Sequence, residues 1–390
     1  MIRINIISIL FVFFLMPKVL FSSEIIHTTA ELSQERSHFT AAVVDGRILF
    51  AGGYNYPLAQ RFSIIDIYDP TAEMGSQWTT SNLSLARQGL SGVSTDVKAY
   101  FAGGVSAPGV YTNIIDIYDS TAPIGQEWST AELSLARITM GSASTNKKVF
   151  FAGGVYYTGS GWAQADRVDI YNEETGVWST DSLSVNRQDV AGTAVEKKVI
   201  FAGGMHVIGY LNAPVLDTVD IYDTKTDQWS TAQLSTPRII GAAASVGNKA
   251  IFAGGVWQHP SKPWVGGLYY PQDRVDIYDA DTNTWSTATL SEARWNMASA
   301  VVGKKVFFAG GVIDPGIVSS IYSDKVDIYD SETDTWSVMT LSEPRSAMAG
   351  ASIGNQAVFA GGVYDSSGTT SNSKKVDIFY VFNEIINGCN

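Results

Sequence analysis

Cysteine is all but absent from this sequence: of 390 residues, only Cys389 carries a thiol. A framework of internal disulfides is thereby excluded, as are thiolate metal clusters, and stability must come from packing. Histidine is nearly as scarce. His27, His38, His206 and His259 show no ligand spacing, so neither a metal nor a cofactor is expected. Charge is thin, at 16 % of residues, and lopsided: 26 Lys and Arg against 38 Asp and Glu leave a net −12. That balance argues against a nucleic-acid partner, which would need a basic stripe to neutralise phosphates. Phosphate loops, nucleotide fingerprints and nucleophile elbows are missing as well. Beyond the N-terminus no apolar run is long enough to span a bilayer.

What is present is apolar and repetitive. Hydrophobic residues make up 45 % of the chain, enough for a large core. At the start, Met1-Ile2-Arg3 leads into an apolar run from Ile6 to Met16, followed by Pro17, Lys18 and small residues. As a helix this run would rise only about 16 Å, half a bilayer core, so the pattern predicts a secretory signal at residues 1–23 cut near Ser22 or Ser23.

Phe-Ala-Gly-Gly occurs seven times, with successive spacings of 51, 50, 50, 51, 56 and 51 residues. Three further elements keep step with it. A strand reading Val/Ile-Asp-Ile-Tyr/Phe carries Asp66, Asp116, Asp169, Asp220, Asp276, Asp327 and Asp377. A tryptophan follows in six copies, from Trp78 to Trp336. Leu-Ser-x-x-Arg then ends in Arg36, Arg87, Arg137, Arg187, Arg238, Arg294 and Arg345. Each repeat reads as four strands: A after the arginine, B into the glycine pair, C with the aspartate, D with the tryptophan. Runs such as Lys148-Val149-Phe150-Phe151-Ala152 suit a strand covered on both faces.

Four-stranded units at a period near 50, with Gly-Gly, an aromatic and a tryptophan, resemble kelch repeats. The Tyr-x6-Trp spacing of that family holds in Tyr171/Trp178, Tyr222/Trp229, Tyr278/Trp285 and Tyr329/Trp336, and is three residues longer in the first two repeats. The resemblance covers residues 24–382 and implies an all-β, seven-bladed β-propeller of four-stranded antiparallel blades, leaving 383–390 as a tail. The last repeat lacks a tryptophan strand. Aligning Thr29 to Ser33 with Thr130 to Ser134 makes residues 25–32 its missing outer strand, with His27 in the tryptophan slot. An N-terminal strand would thus close the ring.

The recurrent Asp, on a strand packed on both faces, needs a charge partner, and the recurrent Arg is the natural one, within a blade or across two. A feature of every blade serves the scaffold, and these fourteen residues are read as structural, as are the repeated Tyr and Trp. A site should lie where repeats differ. The B–C loops vary most, and with the D–A connections they share one face. Trp162, Trp257 and Trp264 fall in B–C loops, and Trp295 follows Arg294 in a D–A connection. The longest B–C loop has 19 residues between Gly255 and Val275, and includes Trp257, His259, Trp264, Tyr269 and Tyr270. With His206, these are the candidate ligand-binding residues; aromatic rings beside Asp, Asn and Gln suit a sugar.

No catalytic residue is assigned. Some kelch propellers resemble galactose oxidase, whose copper-radical site needs a Tyr cross-linked to a Cys; a terminal Cys389 does not suit it. The expected function is an exported binding module for a glycan or protein ligand, acting through the B–C/D–A face. The alternative is an exported sugar-modifying enzyme resembling a sialic-acid mutarotase or epimerase, with Asp189 or Asp166 as its acid/base group.

Overall fold

A computed structural model describes residues 21–145, 147–207, 214–258, 269–314, 320–366 and 368–385. The expected signal, apart from residues 21–23, and Cys389 lie outside the described residues. Among the described residues the chain is all β, with seven four-stranded antiparallel sheets. We number these as blades I (40–82), II (91–132), III (141–182), IV (191–233), V (242–289), VI (298–340) and VII. Strand A of each blade touches strand A of both neighbours, and blade VII returns to blade I, so the A strands surround a central channel. No helix among the described residues is long and apolar enough to cross a membrane.

Blade III shows how the repeat folds. Strands A to D are Gly141–Ser144, Lys148–Ala152, Arg167–Asn172 and Val177–Ser182, paired in chain order. Val149, Phe150, Phe151 and Ala152 are fully buried, because strand B has a strand on either edge and a blade on either face. Strand D is the outer edge and faces water, except for its half-buried tryptophan. The indole of Trp178 packs on Tyr171 at 4.9 Å, and both rings join a core cluster containing Tyr100 and Leu133 of blade II. The repeated aromatics therefore fill the seams between blades.

Arg137 lies at the inner end of blade III with no solvent exposure. Its Nη2 donates to the Phe151 carbonyl at 3.0 Å and meets Asp169 on strand C at 2.6 Å. The other oxygen of Asp169 accepts the Ser134 N–H at 2.9 Å, which fastens the incoming D–A connection. Every blade repeats this lock, with pairs Arg36–Asp66, Arg87–Asp116, Arg187–Asp220, Arg238–Asp276, Arg294–Asp327 and Arg345–Asp377. Each arginine thus pairs within its own blade. Stripping one partner from such a buried pair costs about 3–5 kcal/mol, because the other charge is left unpaired in a dry interior.

The glycine pair turns the chain from strand B into the loop face. Gly154 has φ +102°, and a Cβ there would stand 2.5 Å from the Ile138 carbonyl oxygen. Its N–H donates to the carbonyl of Arg187 in the next blade. Equivalent bonds run round the ring to Gly362 and Arg36.

Blade VII is built from both ends of the described chain. Its order is Phe21–Glu31, Lys375–Ile385, Gln356–Ala360, Ala349–Ile353. The N-terminal strand therefore starts before residue 25, and its partner runs past residue 382. His27 lies opposite Phe379, as Trp78 lies opposite Tyr68 in blade I. Its ring stacks on Phe379 at 4.4 Å, and Nε2 bonds Asp377.

Candidate functional site

The residue directly after each repeat arginine bridges to the residue after the glycine pair, for example Gln188 to Met205 and Trp295 to Val312. This pairing puts the D–A connections and the B–C loops on one face, around the mouth of the channel. The second residue after the arginine turns the chain into strand A. At this place stand His38, Gly89, Thr139, Asp189, Asn296 and Ala347, all left-handed, with φ from 52° to 64°. Backbone bonds tie them in two runs: Ala347 N–H to the Asn296 carbonyl, His38 N–H to Ala347 and Gly89 N–H to His38 in one, and Asp189 N–H to Thr139 in the other. Blade V breaks the series. Ile240 is not left-handed, and the bond shifts by one residue, from Met297 N–H to the Gly241 carbonyl.

Where the series breaks, a cavity of about 560 Å³ opens at the mouth. Thr139, Gln188, Asp189, Met205, Ile240, Trp295 and Asn296 are among its lining residues. Left-handed backbone at Thr139, Asp189 and Asn296 is the same turn that His38, Gly89 and Ala347 make in other blades, and it costs most at Thr139, which is β-branched. Burial pushes the Asp189 carboxyl up from the ordinary carboxylate range, and a hydrogen bond donated by the Gln188 side-chain amide (2.9 Å) opposes it only in part. On the blade I side, burial pushes the His38 imidazole down; its Nδ1 meets the Ser37 hydroxyl at 2.9 Å, and its ring stands edge-on to Tyr56. The Arg61 guanidinium lies over the Tyr54 ring at 5.3 Å.

The candidate residues named from the sequence divide. Trp295 lines the cavity, and His206 follows the lining residue Met205 with its Nδ1–H donating to the Asn186 carbonyl at 2.7 Å. Trp257 packs against Tyr270 at 5.7 Å on the long hairpin of blade V. Tyr269 begins the return strand of that hairpin, and His259 and Trp264 lie outside the described residues. Trp162 stands apart from the cavity on a hairpin of blade III, with 54 % of its surface exposed. Asp166 is exposed and absent from the cavity lining. Thr139, Gln188 and Asn296 were not singled out by aromatic content. Their signal is columnar: the two positions after the constant arginine change chemistry from repeat to repeat. Among the described residues, no group of three or more His, Cys, Asp or Glu could hold a metal.

The model of the Kelch motif matches residues 35–80 and 293–340. The chain is 31 % identical over 163 residues to Kelch-like protein terF of Aspergillus terreus, covering 37 % of this chain and 34 % of that protein. It is 31 % identical over 104 residues to Kelch-like protein 28 of Mus musculus, covering 25 % and 18 %. With alpha-scruin of Limulus polyphemus it shares 28 % identity over 128 residues, covering 32 % and 13 %. The matched parts thus span about a third or less of each relative's length. Among solved structures, that of YjhT superposes with a TM-score of 0.57 at 17 % identity, over 77 % of this chain and 98 % of that one. Repeat, lock, ring and relatives agree: the chain is a kelch-repeat protein folded as a seven-bladed β-propeller.

Proposed function

We propose that the protein is an exported binding module whose ligand is a glycan, seated at the channel mouth on the B–C/D–A face. The observation that carries this reading is the cavity of about 560 Å³, in which Thr139, Gln188, Asp189 and Asn296 stand beside Trp295. Amide and carboxyl groups next to an aromatic ring match the hydroxyls and C–H faces of a sugar. Export is supported by the composition of residues 1–23. Kelch propellers generally mediate protein interactions, and a protein ligand would engage the outer hairpins of the same face.

The test is titration with a saccharide panel, read by tryptophan fluorescence, on the chain without residues 1–23. Asp189→Ala and Trp295→Ala should each weaken binding about ten- to hundredfold, the loss of one buried polar or aromatic anchor. Unchanged affinity in both variants would remove the cavity from consideration.

The raised carboxyl of Asp189 favours one second reading, a sugar mutarotase or epimerase. A carboxyl whose acid form is favoured by burial in a pocket can pass a proton to a sugar ring oxygen. Faster anomer exchange in NMR, lost in Asp189→Asn, would establish it.

A further inference from the structure

The hairpins of blades II and III bring three aromatic rings together away from the cavity. Trp162 touches Tyr157, directly across its own hairpin, at 4.9 Å, and Tyr111 of blade II at 4.8 Å. Trp162, Tyr157 and Val110 are each about half exposed, so this is an open apolar patch rather than a filled seam. Residues 105–113 and 155–164 contain no charged side chain; hydroxyls, amides and glycines surround the rings.

The patch is joined to the cavity. Gln164, at the base of the blade III hairpin, donates its amide to Gln188 at 3.4 Å, and Gln188 donates to Asp189 at 2.9 Å. Both Gln188 and Asp189 line the cavity. Trp162 is two residues along the strand from Gln164 and on the same side, a distance of about 7 Å. Gln164 is itself one hydrogen bond out from the lining residue Gln188, so the rings lie beyond a first saccharide unit held in the cavity.

We propose that Tyr111, Tyr157 and Trp162 form an outer subsite for the second and third units of an uncharged oligosaccharide whose terminal unit occupies the cavity. The inference rests on the glycan reading above and names its substrate class, a neutral chain rather than a single sugar. The patch by itself is smaller than a protein interface. Two half-exposed aromatic side chains present about 200 Å², a quarter of the roughly 800 Å² each partner contributes to a standard interface. Rings already packed against one another lose little freedom when a sugar face settles on them. The lack of charge leaves hydroxyl recognition as the chemistry available.

The experiment is calorimetric titration of the chain from residue 24 with glucose, galactose and N-acetylglucosamine and their oligomers of two to five units. Affinity should rise about five- to tenfold from one unit to three, the contribution of one aromatic contact. In Trp162→Ala the ratio of trimer to monomer affinity should fall to about one, and Trp162→Phe should restore part of it. Tyr157→Ser supplies the same reading if Trp162→Ala fails to fold. Affinity independent of length, or a length gain that survives both substitutions, overturns the outer subsite while leaving the cavity reading intact. So does self-association that depends on Trp162, read by light scattering. Failure of every saccharide at every length overturns the glycan reading and this inference with it.

Discussion

A β-branched residue enters the left-handed region only when its surroundings force it, at a cost of about 1–2 kcal/mol. Thr139 is such a residue, with φ 55°, and its hydroxyl is buried without a hydrogen-bond partner among the described residues. Both terms oppose folding, and glycine would remove both, at a smaller cost of about 0.5–1 kcal/mol in chain entropy. Thr139→Gly is therefore expected to melt at or slightly above the parent temperature while saccharide affinity falls. Differential scanning calorimetry beside the binding titration checks this. A fall of several degrees would make Thr139 a packing residue. The repeat arginines present the opposite case. Arg137 is as deeply buried as Phe151; its Nη2 is spent within the blade on the Phe151 carbonyl and Asp169, and its Nη1, without a hydrogen-bond partner among the described residues, is sealed from any ligand by burial.

Among the elements, the N-terminal strand Phe21–Glu31 has a role no other strand shares. It pairs along eleven residues with Lys375–Ile385 and so joins chain positions 350 residues apart at His27 and Asp377. Without it, blade VII would expose the outer edge of its third strand and lose the His27 contact with Phe379. A chain starting at Arg36 is expected to unfold at a clearly lower temperature and to be cut by protease within 375–385. An unchanged midpoint would mean that three strands suffice to close the ring. The alignment that puts His27 in the tryptophan slot was legible because flanking repeat residues fix the register. The length of the pair was not, since past residue 382 the chain has no repeat copy to compare.

At the scale of the whole molecule, a net charge of −12 repels itself, and acid would relieve that repulsion. Specific carboxylates act the other way. The Thr71 hydroxyl holds Asp69 below the usual range, Lys148 does the same for Asp227, and the Tyr329 hydroxyl for Asp334. Burial alone would raise Asp377, but Arg345, the Ser342 N–H and His27 together bring it down. A carboxyl with a folded pKa below its unfolded value of about 3.9 stabilises fully above that value, and loses the contribution as pH falls through the folded one. The melting temperature should therefore hold from pH 8 to 5 and drop below about pH 4. A rise on acidification would show that relief of the net charge dominates.

The sequence alone determined the architecture, because seven in-step copies of Phe-Ala-Gly-Gly, Asp-Ile-Tyr/Phe and Leu-Ser-x-x-Arg leave one way to stack four-stranded units into a closed ring. It also marked the face, since loops that differ between copies must share a side. Only the tertiary structure decided where on that face a ligand could sit. The cavity is made by residues from four blades, and Thr139, Gln188, Asp189 and Asn296 meet there only because the ring curves back on itself. Tyr111 and Trp162, which lie 51 positions apart, became one patch for the same reason. A linear repeat records what each blade has in common, whereas a site at the axis depends on how blades differ across the ring.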